Sequence, residues 1–362
     1  LGGDFDTVYS LERAEVILSL DSNFLVDGPG ALAYARQYAA RRRATGGQKK
    51  IHRHYAVESS PNLTGANADH RLRLRPSQVE AAARAIAQGL GVGVPQGQLD
   101  AGAQAFVAAV VKDLQANRGA SVVIPGDYQP AIVHELAHAM NQALGNVGAT
   151  VTHIPSLEAN PSDPTGSIAE LAREMREGKV DTLVVVGANP LYDAPVDLGF
   201  REAFDKVRLR IHMGMYWDET GLHSHWHVPE AHYLESWGDA LAFDGTASIV
   251  QPLIAPLYEG RTAYELLAGL LGQGSRTAYD IVREHWTSQV APGSTPDQFE
   301  NFWRAALNDG RFTPPPPQPI PGLPAPAAPA TPAQVDVARF AAAPPPVAPT
   351  GMEIAFRPDP CV

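Results

Sequence analysis

The chain has 362 residues, 44% of them hydrophobic and 19% charged, and acidic residues outnumber basic ones to leave a net charge of −11. This composition suits a soluble globular chain of two packed domains, and it lacks the clustered cations that displace counterions from a phosphate backbone, so nucleic acid is excluded as an expected partner. The longest apolar runs, residues 182–186 and 249–257, are strand-length and fall far short of the roughly 18 to 20 residues that cross a bilayer, so no direct membrane span is expected.

In chain order, short apolar strands alternate with amphipathic helices. Strands are predicted over residues 15–20, 52–57, 121–125, 150–154, 182–186 and 208–213. Helices are predicted over 30–43, 77–89, 102–117, 130–144, 167–177 and 196–204, with later ones at 262–271 and 296–308. The alternation is that of a parallel sheet covered by helices on both faces, a doubly wound α/β fold. Ser77 is the predicted N-cap of its helix, because Pro76 breaks what precedes it and Glu80 completes an S-x-x-E capping box. Arg41-Arg42-Arg43, with Lys49 and Lys50, reads as a solvated helix C-terminus favoured by the macrodipole. The run from Val180 to Val186 has the pattern of a buried strand. No repeat recurs at a fixed period, although the strand-turn units at Val16 and Leu183 are candidates for a relationship.

Two α/β parts are expected, residues 1–120 and 121–312. Residues 313–350 then turn to Pro and Ala with almost no charge, a composition that favours polyproline II and reads as a linker. A strand-like run over 351–355 makes 351–362 the expected start of a further module. Cys361 is the only cysteine; one thiol forms no intramolecular disulfide and cannot supply the four thiolates that iron–sulfur clusters typically take.

Two histidine clusters invite a metal. His134-Glu135-Leu136-Ala137-His138 is a literal H-E-x-x-H on a predicted helix, where both imidazoles share a face and could hold zinc. Asn141 and Leu144 stand where an extended motif would have glycine and histidine, and the nearby downstream carboxylate, Glu158, lies in a Pro-rich loop. The helix is therefore read as packing through Ala137, Met140 and Leu144. His223, His225 and His227, with His232 beyond, alternate so that the first three share a face if extended. Trp226, Pro229 and Trp237 around them read as packing residues, and no metal is expected. There is no G-x-S-x-G elbow, and Cys361 has no neighbouring base, so no nucleophilic catalyst is expected either.

Several segments, in their order along the chain, resemble the molybdopterin oxidoreductase superfamily. They are Ser19-Leu20-Asp21-Ser22-Asn23-Phe24-Leu25, Val57-Glu58-Ser59-Ser60-Pro61-Asn62-Leu63-Thr64-Gly65-Ala66, Leu144-Gly145-Asn146-Val147-Gly148, Gly187-Ala188-Asn189-Pro190, Trp217-Asp218-Glu219-Thr220, Trp226-His227-Val228-Pro229-Glu230, Tyr233 to Asp239, and Phe356-Arg357-Pro358-Asp359-Pro360. Within that superfamily they are most similar to the ActB-type iron–sulfur subunit of bacterial alternative complex III. The resemblance implies doubly wound, mostly parallel sheets of the molybdopterin oxidoreductase type.

In cofactor-bearing relatives, strand ends of the form Gly-x-Asn-Pro approach the pterin dinucleotide. Gly187, Asn189 and Pro190 keep this form, whereas Asp21-Ser22-Asn23-Phe24 puts a carboxylate in place of glycine and an aromatic ring in place of proline. The implied reading is a vestigial pterin-site turn at Gly187, Asn189 and Pro190, with no catalytic residue, no metal ligand and no molybdopterin. It further implies iron–sulfur clusters in a C-terminal region outside this stretch. The partners it implies are a multihaem cytochrome c and integral membrane quinol-binding subunits, on the periplasmic side of the bacterial inner membrane. The loop from Trp217 to Asp239 is a candidate subunit contact. Two alternatives stand beside it: a fragment of a genuine molybdopterin-dependent oxidoreductase, and a zinc hydrolase working through His134, Glu135 and His138.

Overall fold

The structure is a computed structural model that describes residues 4–43, 50–95, 97–158, 161–290, 295–314 and 350–357. The chain divides into two compact units, Leu1–Leu157 with Ala327–Val362, and Glu158–Pro326. Residues 121–157, expected with the second part, therefore lie in the first. Most of the expected linker, residues 315–349, and Cys361 lie outside the described residues.

The first unit runs β1 (Phe5–Tyr9), β2 (Val16–Leu20), α1 (Ala31–Arg42), β3 (Arg53–Glu58), α2 (Leu63–Ala66), β4 (His70–Arg73), α3 (Pro76–Gly89), α4 (Ala101–Ala116), β5 (Ser121–Pro125), α5 (Ala131–Ala143) and β6 (Val151–Pro155). Four strands form a parallel sheet in the order β4-β3-β2-β5. Strands β2 and β5 are buried on both faces, as the apolar sequences Val16-Ile17-Leu18-Ser19-Leu20 and Ser121-Val122-Val123-Ile124-Pro125 require. Val16, Leu18, Leu20 and Val123 join α3, α4 and α5 in one core around Ile86, Leu114, Leu136 and Met140. On the other face, Ser19 Oγ lies 3.0 Å from His54 Nε2, and His54 Nδ1 lies 3.2 Å from the Tyr38 hydroxyl of α1. Tyr38 donates to the Asn67 carbonyl at 2.8 Å, so its oxygen accepts from His54 Nδ1–H, and His54 Nε2 accepts from Ser19. Burial pushes the His54 imidazole down to about 3, in keeping with this neutral tautomer.

Several expectations are corrected. The predicted strand at 150–154 is present as β6, but it pairs antiparallel with β1, a strand the sequence reading missed, and stands apart from the parallel sheet. Helix α3 starts at Pro76 with Arg75 as its N-cap, so Ser77 lies inside the first turn. Glu80 pairs with the buried Arg84 at 2.8 Å instead of closing a capping box. Arg41 and Arg42 are not simply solvated. Arg41 meets Glu15 at 2.6 Å and Arg42 grips Asp69 through two nitrogens. Residues 352–357 form no strand.

The second unit runs α6 (Pro164–Arg176), β7 (Thr182–Val186), α7 (Pro190–Asp193), α8 (Phe200–Phe204), β8 (Leu209–Gly214), α9 (Glu219–Leu222), β9 (Trp226–Pro229), β10 (Gly238–Leu241), β11 (Ala247–Val250), α10 (Ala263–Leu270), α11 (Ala278–Val290) and α12 (Pro296–Asp309). β7, β8 and β9 form a parallel sheet in that order. β7 is thus an edge strand of intermediate burial, where the sequence pattern had suggested a buried one. The helix predicted over 196–204 is broken by Gly199, whose φ of +52° lies in the left-handed region, into a short 3₁₀ turn and α8. An antiparallel hairpin, β10-β11, packs on α11 and α12 through Ile249, Val282, Trp286, Phe299 and Trp303. Asp239 ties this part together: Oδ1 accepts from the Tyr264 hydroxyl at 2.7 Å and Oδ2 from Trp286 Nε1 at 2.8 Å. No helix among the described residues is long and apolar enough to cross a membrane.

Candidate functional site

Open parallel sheets bind ligands outside the carboxyl ends of their strands, and both units place their distinctive residues there. In the second unit β7 ends at Gly187, which has a φ of +64° and donates its N–H to the Met213 carbonyl at 2.8 Å. Asn189 follows, with Pro190 as the first residue of α7. Asn189 Oδ1 accepts from the Thr220 backbone at 3.2 Å and from its hydroxyl at 2.7 Å, while Nδ2 donates to Glu219 at 2.7 Å. Thr220 Oγ1 in turn accepts from the Leu191 N–H at 3.2 Å. Asp218 caps α9 by accepting from the Gly221 N–H at 2.9 Å.

The first unit repeats much of this design. Asp21, after β2, donates its N–H to Val57 at 2.6 Å. Asn23 Oδ1 accepts from Thr64 N–H at 3.2 Å, and Thr64 Oγ1 accepts from Leu25 N–H at 3.2 Å. Asn62 caps α2 through the Gly65 N–H at 2.8 Å. Further along, the Asp69 carboxylate accepts from His54 N–H at 2.8 Å, as His225 Nδ1 accepts from Arg210 N–H at 3.1 Å. Gly65 and Gly221 are both pinned by close approach: a Cβ at Gly65 would fall 1.9 Å from the Glu58 carboxylate, and one at Gly221 would fall 3.0 Å from the His212 and Trp217 rings. The two strand-turn units thus share one hydrogen-bond design, although they share only a few residue types.

Where the units differ is the charge at the turn. Asp21 occupies the Gly187 position with a φ of +56°, a conformation few non-glycine residues adopt. Its buried carboxylate accepts from Ser59 N–H at 3.0 Å and from Gln129 Nε2 at 2.8 Å. In the second unit the carboxylate of Glu230, which follows β9, lies 3.7 Å from where a Gly187 Cβ would stand. Burial raises the Glu230 carboxyl above its usual range, and the hydrogen bond from Asn189 lowers Glu219 below its own. A pterin dinucleotide would bring phosphates to these turns. At 4 Å a like-charge pair costs about 1 kcal/mol even in water, and the Asp21 carboxylate is already paired with Arg357. Asn189 has also committed its side chain to Thr220 and Glu219. The residues at the two turns fit such a group poorly.

The histidine clusters do not converge. His138 rests against His153 at a ring separation of 5.2 Å, and burial pushes it down to about 4. Among the described residues no group of three or more His, Cys, Asp or Glu is placed to hold a metal ion. Helix α5 serves packing instead: Ala137, Met140 and Leu144 are buried, and Asn141 bridges β5 by accepting from Val123 N–H at 3.0 Å and donating to its carbonyl at 2.9 Å. His223 meets Arg201 at 2.8 Å, His225 binds Arg210, His227 faces His212, and His232 accepts from Leu234 N–H at 3.2 Å. His212 was missed by sequence reasoning because it sits alone within an apolar strand; it is buried, and its Nδ1 lies 3.0 Å from that of His227. Trp237 packs against Trp303 and Tyr279, as expected, whereas Trp226 and Pro229 are exposed.

No protein-family model and no curated protein matches the chain. Among solved structures, acetylene hydratase from Pelobacter acetylenicus aligns over 87% of this chain with a TM-score of 0.62 at 12% identity. The fold is of the molybdopterin oxidoreductase type. The chain spans about half of that enzyme, 54% of its length, so the likeness speaks for the fold alone.

Proposed function

We propose that the chain is the molybdopterin oxidoreductase-like part of a quinol-oxidising respiratory assembly of the alternative complex III type, where it acts as a cofactor-free scaffold. The observation that carries this reading is Asp21, a carboxylate in the left-handed conformation at a turn whose twin has glycine, with its oxygens satisfied from within the chain. The reading is further supported by Glu230 and Glu219 beside the second turn, by the order of the family-like segments and by the shared fold. Iron–sulfur clusters are assigned to a C-terminal region outside this stretch. The partners are a multihaem cytochrome c and membrane-integral quinol-binding subunits, on the periplasmic side of the bacterial inner membrane. The scaffold's work is done by its surfaces, and the exposed Tyr216, Trp217 and Tyr233 are residue types enriched at interface centres.

A second reading, a piece of a genuine molybdopterin-dependent oxidoreductase, is favoured by the intact Gly187-Ala188-Asn189-Pro190 turn and its φ of +64°. Purification of the full-length protein from its native membranes distinguishes the two. The scaffold reading expects a multisubunit assembly that reduces its haems on addition of a quinol. A protein that purifies without haem subunits and catalyses a substrate-level reaction by itself would overturn it.

A further inference from the structure

Chain order and spatial order disagree at one place in the first sheet. From β2 the chain steps to β3 and β4 on one side, and then returns to place β5 on the other. The switch point, where open α/β sheets bind ligands, therefore lies between the carboxyl ends of β2 and β5. Asp21 follows β2, and Gly126 to Gln129 follow β5. The backbones there nearly touch, since a Cβ on Gly126 would fall 2.1 Å from the Asp21 carbonyl oxygen.

A guanidinium sits beside this crevice, against residues that follow β2 and β3. Arg357 Nη2 forms an ion pair with Asp21 Oδ2 and donates to Ser59 Oγ at 2.7 Å. The segment leading to it is fastened at two further points. Glu353 accepts from the Ser77 N–H at 3.0 Å and from its hydroxyl at 2.9 Å, and the Gly351 carbonyl accepts from Arg75 Nη1 at 3.0 Å. Glu353 thereby satisfies a backbone donor in the first turn of α3, a favourable place for a carboxylate. Glu353 and Arg357 are half-buried against the unit, whereas Met352, Ile354, Ala355 and Phe356 are exposed. Polar anchors thus hold the segment.

We propose that residues 350–357 are a docked strap whose Arg357 guanidinium is the resident ligand of the Asp21 carboxylate at the carboxyl ends of β2 and β3, so that release of the strap and exposure of that carboxylate are one event. A carboxylate at the turn is what a guanidinium ligand requires, which gives Asp21 a positive role that a lost pterin site does not supply. The inference goes beyond the scaffold reading, and its test does not depend on metal content or on partner subunits.

Phe356 reports on strap release, because a protease must pull several residues out of the docked conformation to cut beside it. Chymotryptic cleavage at Phe356 in the full chain should be slow, and Arg357→Gln should speed it on the order of tenfold or more, as loss of a charged hydrogen bond implies. Asp21→Asn should produce a similar acceleration, and the double variant should be little faster than either single one, since both remove the same contact. Glu353→Gln should accelerate cleavage less. Cleavage of Arg357→Gln at the wild-type rate would overturn the proposal. Independent, multiplying effects of Asp21→Asn and Arg357→Gln would overturn it as well.

Discussion

Asn189 holds Thr220 twice, by its backbone N–H at 3.2 Å and by its hydroxyl at 2.7 Å, and the same side chain reaches Glu219 through its amide nitrogen. A residue expected as a vestigial ligand contact is therefore also the clasp between two strand-end turns. Its counterpart, Asn23, holds the Thr64 backbone in the same manner.

Replacing Asn189 by Ala removes this clasp and leaves the Thr220 N–H without its acceptor. The expected loss is about 1–3 kcal/mol of stability, the usual cost of orphaning such groups. Urea unfolding measures it. An Asn189→Ala protein as stable as the wild type would mean that the clasp contributes nothing.

Asn141→Ala is expected to be costlier than a surface change, because both the Val123 N–H and its carbonyl lose partners in the core. Roughly 2–4 kcal/mol is expected, following the cost of breaking a buried hydrogen-bond network. By contrast, His134→Ala and His138→Ala should leave the zinc content of the purified protein unchanged and below stoichiometric, as elemental analysis would show. A tightly bound zinc that disappears with either histidine would restore the hydrolase reading of His134, Glu135 and His138.

Much of this fold is legible in sequence. Residues 121–125 and 182–186 are strands with the expected bounds, because dense β-branched runs between turn signals leave little ambiguity. Several missed elements are short or polar: His70 to Arg73 has one apolar residue in four, and α2 and α9 are single turns set by an Asx cap and a close-packed glycine; the longer helix α11 was missed as well. The shared design of the two strand ends was hidden for a related reason. Its shared signature is a pair of hydrogen bonds between residues far apart in the chain, Asn23 with Thr64 and Asn189 with Thr220, and the intervening side chains have diverged. Nor could any local pattern bring Arg357 to Asp21.

The buried histidines of the first sheet make stability depend on pH. Burial lowers His54 to about 3 and His52 to about 4, whereas an unfolded histidine titrates near 6.5. Below pH 6.5 the unfolded chain thus binds protons that the fold refuses. Stability is full above about pH 6.5 and falls as the pH drops toward 4, by up to about 1.4 kcal/mol per pH unit for each histidine. Urea midpoints at pH 7, 6 and 5 should decline in this order, and His54→Gln should flatten the decline. An unchanged slope in that variant would remove His54 from the account.

Asp239 is expected to be structural, although it lies in a family-like segment. Asp239→Ala leaves Tyr264, a phenol that burial pushes up to about 12, and the Trp286 indole without their acceptor. A loss of about 2–3 kcal/mol is expected in thermal or urea unfolding of the full chain. Asp239→Asn should recover part of it, because the amide oxygen can still accept one of the two bonds. Equal losses in the two variants would show that charge, not hydrogen bonding, is what matters there.

The proposed cofactor-free scaffold rests on the acids that stand at the strand ends, Asp21 and Glu230. The most direct test is elemental and pterin analysis of the protein purified from its source. Iron in cluster stoichiometry, with neither molybdenum nor tungsten and no releasable pterin, is the predicted result. One equivalent of molybdenum or tungsten together with a pterin dinucleotide would contradict it.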